Sequence, residues 1–300
     1  MSAAMNEPRL RHVQCLDSRG LHRMAYWEWQ RDDGPTDDGD GDRVLVCVHG
    51  LARQGRDFDT LAQAMRGGYR VVCPDVVGRG ESDRLADPSG YQIQGYVADI
   101  VTLLARLDAK TVHWVGTSMG GLIGMVLAAL PGSPIERLVL NDVGPAIDAE
   151  AIARIASYLG QPLTWADEDE AADYLLTISQ GFGEHSREQW LSLTRPMLRR
   201  EDDRWRLHYD PAIALALRTM TPAAAAAGEA ALWAAYDAIR CPTLVLRGAT
   251  SDVLSTATAA AMQERGPHAQ VHELAGVGHA PTLVSADQIA VVREFLQAGC

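Results

Sequence analysis

Three side chains of the kinds that split acyl bonds stand in turns that directly follow apolar runs. Gly116-Thr117-Ser118-Met119-Gly120 lies between the strand-like run Thr111 to Val115 and the helix-like run Leu122 to Leu130. A serine at so sharp a strand-to-helix turn must hold strained backbone angles that present its Oγ as a nucleophile, and side chains at 116 or 120 would collide with their neighbours. By itself the pentapeptide also fits a glycine-rich turn with an incidental serine. Two loops further along weigh against that. Arg247-Gly248-Ala249-Thr250-Ser251-Asp252 follows the run Thr243 to Leu246 and carries a carboxylate, and Gly276-Val277-Gly278-His279-Ala280-Pro281 follows Gln270 to Leu274 and carries an imidazole. Ser118, Asp252 and His279 thus each leave the C-terminal end of a different expected strand, where an open parallel sheet binds its ligands.

The elements that must position these groups follow from hydrophobic periodicity. Continuous apolar runs at Val44–Val48, Tyr69–Cys73, Thr111–Val115, Arg137–Leu140, Thr243–Leu246 and Gln270–Leu274 read as buried strands. Helical periodicity separates them at Phe58–Met65, Tyr96–Leu107, Leu122–Leu130 and Ala257–Met262, with a last helix over Ser285–Gln297. Strands alternating with helices give an α/β, doubly wound, mostly parallel sheet. Before it, Val13–Asp17 and Met24–Gln30 form an antiparallel hairpin turning at Ser18-Arg19-Gly20. Beyond Asn141 the pattern changes to charged, tryptophan-bearing helices at Ile152–Leu159, Glu168–Ile178, Arg187–Leu193, Pro211–Met220 and Ala223–Tyr236.

Composition narrows the function classes. A chain of 300 residues with 47% hydrophobic residues can bury one large core, so a single domain with an insertion is expected. A formal net charge of −12 disfavours nucleic acid and anionic membranes as partners. The polar start, Met1 to Arg11, and the lack of any long apolar run point to a cytoplasmic protein. Cys15, Cys47, Cys73, Cys241 and Cys300 have no regular spacing and read as reduced thiols. The acidic stretch from Asp32 to Asp42 reads as a solvated loop. Asp38, Asp40 and Asp42 lack the glycine and distal glutamate of a calcium loop, so no metal is expected.

With these motifs in place, nearly the whole chain resembles the α/β-hydrolase superfamily, in its branch of cap-bearing serine esterases. The resemblance rests on His49-Gly50-Leu51 after Val44–Val48, on Pro74-Asp75-Val76-Val77-Gly78-Arg79-Gly80-Glu81-Ser82-Asp83, on the 116–120 turn, and on the Asp252 and His279 loops. It implies an eight-stranded sheet formed by residues 1–143 and 237–300, with a helical cap over 144–236. It implies Ser118 as nucleophile, His279 as general base, Asp252 as the acid that orients it, and no cofactor. The backbone N–H groups of Leu51 and Met119 would form the oxyanion hole. Some members carry the acid after the sixth core strand, where Asp142 stands. The Arg247–Asp252 run matches the commoner position, so Asp252 is expected, with Asp142 bracing the site floor or the cap hinge. His49 is expected to shape the oxyanion loop rather than move protons.

A serine at 118 excludes the relatives that use aspartate there, the haloalkane dehalogenases and epoxide hydrolases. Residues His49 to Phe58 resemble bacterial carboxylesterases and hydroxyalkanoate-oligomer hydrolases, which implies a small-molecule ester substrate. Arg53 would then meet a substrate carboxylate, and Trp165 and Trp190 would line the cleft. Two other readings stay open: a hydrolase of carbon–carbon bonds in ring-cleavage products, and a small-molecule receptor on the same fold.

Overall fold

The computed structural model describes residues 7–32 and 43–298. The acidic residues 33–42 and Cys300 lie outside the described residues. Among the described residues, ten strands and ten α-helices carry the architecture. The strands are β1 (Arg9–Asp17), β2 (Gly20–Trp29), β3 (Val44–Val48), β4 (Arg70–Pro74), β5 (Val112–Thr117), β6 (Ile135–Asn141), β7 (Leu198–Glu201), β8 (Arg204–Leu207), β9 (Thr243–Gly248) and β10 (Gln270–Leu274). The helices are α1 (Asp59–Met65), α2 (Ile93–Leu107), α3 (Met119–Ala128), α4 (Ala149–Tyr158), α5 (Glu168–Ile178), α6 (Arg187–Thr194), α7 (Leu215–Arg218), α8 (Pro222–Ala238), α9 (Thr256–Glu264) and α10 (Ala286–Gln297).

Eight strands form one sheet in the order β1-β2-β4-β3-β5-β6-β9-β10. β1, β2 and β4 pair antiparallel, and every other pairing is parallel. The central strands read as unbroken apolar runs because both faces of the sheet are covered. In β3, where every residue is buried, Val44, Val46 and Val48 point into one core and Leu45 and Cys47 into the other. The first core packs against α2 and α3, through Ile100, Leu103 and Ile123, and the second against α1 and α10, through Leu61, Val292 and Phe295. Each such buried side chain contributes about 1.5–3 kcal/mol relative to leaving it in water.

Helix α3 starts three residues earlier than periodicity suggests. Met119-Gly120-Gly121 is a poor helix former in isolation, yet it directly follows the turn that ends β5 and is held by β3 and β6.

Between β6 and β9 lie helices α4 to α8 and one hairpin, β7–β8, that periodicity did not reveal. Its turn holds Asp202 and Asp203 at φ 47° and 63°, the left-handed geometry that a two-residue hairpin requires and that aspartate tolerates. The four-residue strands are too short for alternation to register. This insertion has its own core, with Trp165, Leu175, Trp190 and Leu193 buried together. Gly144, at the start of the insertion, is tightly packed: a Cβ there would meet Met262 Sδ at 2.8 Å. No helix among the described residues is long and apolar enough to cross a membrane.

Candidate active site

Ser118 sits between β5 and α3 with φ 51° and ψ −116°, strained for a residue with a side chain. The glycines around it are required by close approach rather than by flexibility. A Cβ on Gly116 would run into the Gly120 carbonyl, and one on Gly120 would run into the Val48 carbonyl of β3, neither of which can step aside. The turn is further held by the Ser118 N–H, which donates to the Asn141 carbonyl at 3.0 Å.

His279 lies in the loop after β10 and reaches Ser118 Oγ with Nε2 at 3.0 Å. Its Nδ1 lies 2.7 Å from Asp142 Oδ2. A carboxylate can only accept, so Nδ1 carries the hydrogen and Nε2 is free to take the serine proton. Asp142 is fully buried directly after β6, with φ 54°. Its Oδ1 accepts from the Gly248 N–H at 2.8 Å, and its Oδ2 also accepts from Ser251 Oγ at 2.6 Å.

The expectation for Asp252 is therefore corrected. Asp252 lies on the surface, 46% exposed, and accepts from Arg154 Nε at 2.6 Å and Nη2 at 3.0 Å. The loop after β9 does reach the site, but through Ser251. The Ser251 Oγ accepts from the Val253 and Leu254 N–H groups, which turns the chain so that residue 252 faces outward. Ser251 was adjacent to the expected acid in sequence, and its role had no signal of its own.

A cavity of about 120 Å³ opens beside Ser118 and His279. Gly50, Leu51 and Arg53 form one wall, and apolar side chains of the insertion, among them Leu163, Leu175, Ile178 and Phe182, form the other. Leu51 lines the cavity and Met119 is the first residue of α3, so that its N–H has no intrahelical acceptor. The peptide joining Gly50 to Leu51 is fixed from behind. The Gly50 carbonyl accepts from His49 Nδ1 at 2.7 Å and from the Arg53 N–H at 3.1 Å. His49 Nε2 accepts from the Val76 N–H at 2.9 Å. Burial, assisted by the nearby Arg79 and Arg53 charges, lowers the His49 pKa to about 3, so this imidazole stays neutral and shapes the loop.

Arg53 does line the cavity, but its guanidinium is held by Asp57 at 2.6 and 2.8 Å and donates to the Leu193 carbonyl at 3.0 Å. The expectation that Trp165 and Trp190 line the cleft is corrected: both are buried in the insertion's own core. The Trp190 Nε1 donates to the Ala172 carbonyl at 2.7 Å, and Trp165 exchanges backbone hydrogen bonds with Trp205. Aromatic side chains bury the most area in this small core, where Leu175, Leu193, Met197 and Leu198 pack around them. Arg154 and Tyr158 of α4, which sequence reasoning passed over, line the cavity in their place. Among the described residues, Cys15, His22 and Asp99 could together hold a metal ion. Cys15 and His22 belong to the β1–β2 hairpin and Asp99 to α2; His22 pairs with Asp99 at 3.0 Å, and burial pushes the Cys15 thiol up to about 12.

The chain matches the profile of the α/β-hydrolase fold over residues 43–286. It is 53% identical to a 3-hydroxybutyrate-oligomer hydrolase of Cupriavidus necator, over 96% of this chain and 97% of that one. A solved α/β hydrolase from Novosphingobium aromaticivorans superposes with a TM-score of 0.83 at 34% identity, covering 97% of this chain and 98% of the other. E-2-(acetamidomethylene)succinate hydrolase superposes with a TM-score of 0.78 over 97% of this chain and all of that one, at 20% identity, a likeness of fold alone.

Proposed function

Given that the chain belongs to the α/β-hydrolase family and is a hydrolase of carboxylic esters, we propose that its substrates are short oligomers of 3-hydroxyalkanoates. The 53% identity to a 3-hydroxybutyrate-oligomer hydrolase over almost the full length of both chains carries this reading. The apolar cavity wall supports it, since the repeating unit of such an oligomer is a small branched hydrocarbon between ester groups.

Ser118 is the nucleophile, His279 the general base and Asp142 the acid that orients it. As Ser118 Oγ bonds to the ester carbonyl carbon, its proton passes to His279 Nε2, and Asp142 stabilises the resulting imidazolium. The carbonyl oxygen becomes an oxyanion facing the Leu51 and Met119 N–H groups. Collapse breaks the bond to the alcohol oxygen, the 3-hydroxyl of the next unit, which takes the proton from His279. Water, activated by the same imidazole, then releases the acid from the acyl-serine. We take residues 144–236 as the cap over this site. The cytoplasm is the compartment we propose, a reading supported by the irregularly spaced cysteines.

The test is the release of 3-hydroxybutyrate from its linear dimer and trimer, alongside p-nitrophenyl esters from acetate to octanoate, by the wild type and Ser118→Ala. Oligomer cleavage that disappears with the serine is expected. Ester turnover without oligomer cleavage would overturn the substrate, and turnover surviving in Ser118→Ala would overturn the nucleophile.

A further inference from the structure

The turn after β4 carries a fully buried arginine with no acid beside it. Arg79 is 0% exposed, and among the described residues no carboxylate lies within ion-pair distance of its guanidinium. An isolated buried charge is among the least favourable groups a fold can hold, so its surroundings must compensate for lost water. Nη1 donates to the Val77 carbonyl at 2.7 Å and to Tyr96 Oη at 3.0 Å. The rings of Tyr96 and Tyr91 lie 5.0 and 5.7 Å from the guanidinium carbon, within cation–π range. The two remaining partners are more informative. Nε donates to the Leu51 carbonyl at 2.9 Å, and Nη2 lies 3.6 Å from Met119 Sδ. These are the two residues to which we assign the oxyanion N–H groups.

We propose that Arg79 is a positioning residue for the oxyanion site: its buried guanidinium, without a counter-ion, fixes the Leu51 backbone and favours negative charge as it develops on the substrate oxygen. The inference rests on the assignment of Leu51 and Met119 above. Its physics is that of preorganised electrostatics. A fixed charge in a water-excluded setting acts over several ångströms with little screening and needs no reorganisation when the reaction occurs. The absence of a counter-ion matters because a paired carboxylate would cancel the field at the site. The charge already acts on this loop, where it helps keep the His49 imidazole neutral. Leu51 is also held on both sides, with the Gly50 carbonyl gripped by His49 and its own carbonyl gripped by Arg79. That leaves the intervening N–H little freedom to turn away from the cavity.

The experiment compares wild type, Arg79→Gln and Arg79→Lys. Glutamine keeps an N–H donor for the Leu51 carbonyl and removes the charge; lysine keeps the charge and loses the fork. The readouts are kcat and KM on p-nitrophenyl butyrate, the thermal midpoint, and the preference for a trifluoromethyl ketone over the matching methyl ketone. The fluoroketone adds Ser118 Oγ to its carbonyl carbon, the π pair moves to oxygen, and the serine proton goes to His279. Its affinity therefore reports stabilisation of an oxyanion.

For Arg79→Gln we expect kcat and the fluoroketone preference each to fall about tenfold, with KM within about twofold; for Arg79→Lys we expect both within about threefold of wild type. A lower thermal midpoint with an unchanged fluoroketone preference in Arg79→Gln would reduce Arg79 to structural support. Equal losses in the two variants would show that the fork rather than the charge acts, and would also overturn the proposal. Should Arg79→Gln not fold, Arg79→Lys decides alone: a retained preference supports the charge, and a tenfold loss removes it. If the wild type shows no preference for the fluoroketone, the oxyanion assignment itself fails, a result distinct from any difference among the variants.

Discussion

Which carboxylate serves His279 is a matter of a few ångströms. Asp142 receives Nδ1 at 2.7 Å in full burial, whereas Asp252 is exposed and bound to Arg154. We expect Asp142→Asn to lower kcat by on the order of 10³-fold or more, because the amide can donate to the imidazole and favour the wrong tautomer. Asp252→Asn should stay within about twofold, since exposed ion pairs contribute little. Steady-state kinetics on one p-nitrophenyl ester settles it, and the reverse ranking would restore Asp252 as the acid. Ser251 and Gly248 have a supporting part: the Gly248 N–H holds Asp142 Oδ1, and Ser251 Oγ donates to Oδ2, the oxygen that also receives His279 Nδ1. Ser251→Ala leaves one strong acceptor short of a donor, and a loss of about three- to tenfold in kcat is expected from the less firmly held carboxylate.

At the scale of elements, the insertion does two separate things. Its tryptophans hold α5 and α6 together, and its segment at 180–183 bears on the His279 loop. Replacing Trp190 by Phe removes the indole donor to the Ala172 carbonyl, which keeps its place in α5, and leaves part of the space filled by one of the insertion's largest buried side chains empty. A loss of about 1–3 kcal/mol in unfolding free energy is expected, with KM for p-nitrophenyl butyrate within about twofold. A large KM change at unchanged stability would instead place Trp190 against substrate. Gly181 behaves differently. The Gly278 N–H donates to its carbonyl at 2.6 Å, and a Cβ at 181 would stand 3.2 Å from the His279 nitrogen. Gly181→Ala should therefore lower kcat severalfold by shifting the histidine loop while changing the melting temperature by only a few degrees. The same kinetic and melting measurements on this variant check that contrast.

Over the whole molecule, buried histidines set the response to acid. Burial lowers the pKa of His49 to about 3 and that of His113 to about 4, so the native state refuses protons that the unfolded chain accepts near pH 6.5. The unfolded state then binds more protons, and stability falls as pH drops from about 6.5 towards 4. Asp75 opposes this: burial raises its pKa to about 6, so the stability its protonated form contributes is present at low pH and lost as pH rises through 6. Substituting His113 by Asn, which keeps a donor for Tyr69 Oη, isolates one contribution. The variant is expected to be less stable than wild type at pH 7.5 and to gain on it by on the order of 2 kcal/mol by pH 4.5. Denaturant unfolding at both pH values measures the difference, and a constant gap would mean that His113 titrates normally in the fold.

Much of this protein was determined by local sequence alone. Unbroken apolar runs give the parallel strands, because only a strand covered on both faces can be apolar at every position, and Gly116 and Gly120 give the sharp turn that carries Ser118, because backbone carbonyls occupy the space a Cβ would need. Ser118 and His279 were legible as candidates because each lies in a glycine-bearing turn directly after an apolar run, whereas the loop-shaping expectation for His49 came from the family resemblance. What the tertiary structure decided are choices between groups that look alike along the chain. Asp142 and Asp252 both follow a buried strand, and only the path of the loop through Ser251 sends one inward and the other to Arg154. Trp165 and Trp190 could equally have faced the cleft or the insertion's interior, and the packing of α5, α6 and the β7–β8 hairpin turned them inward. Arg79 looks like any loop arginine in sequence. Its environment, a guanidinium with no carboxylate in reach among the described residues and set against Leu51 and Met119, exists only once three distant segments have closed around it.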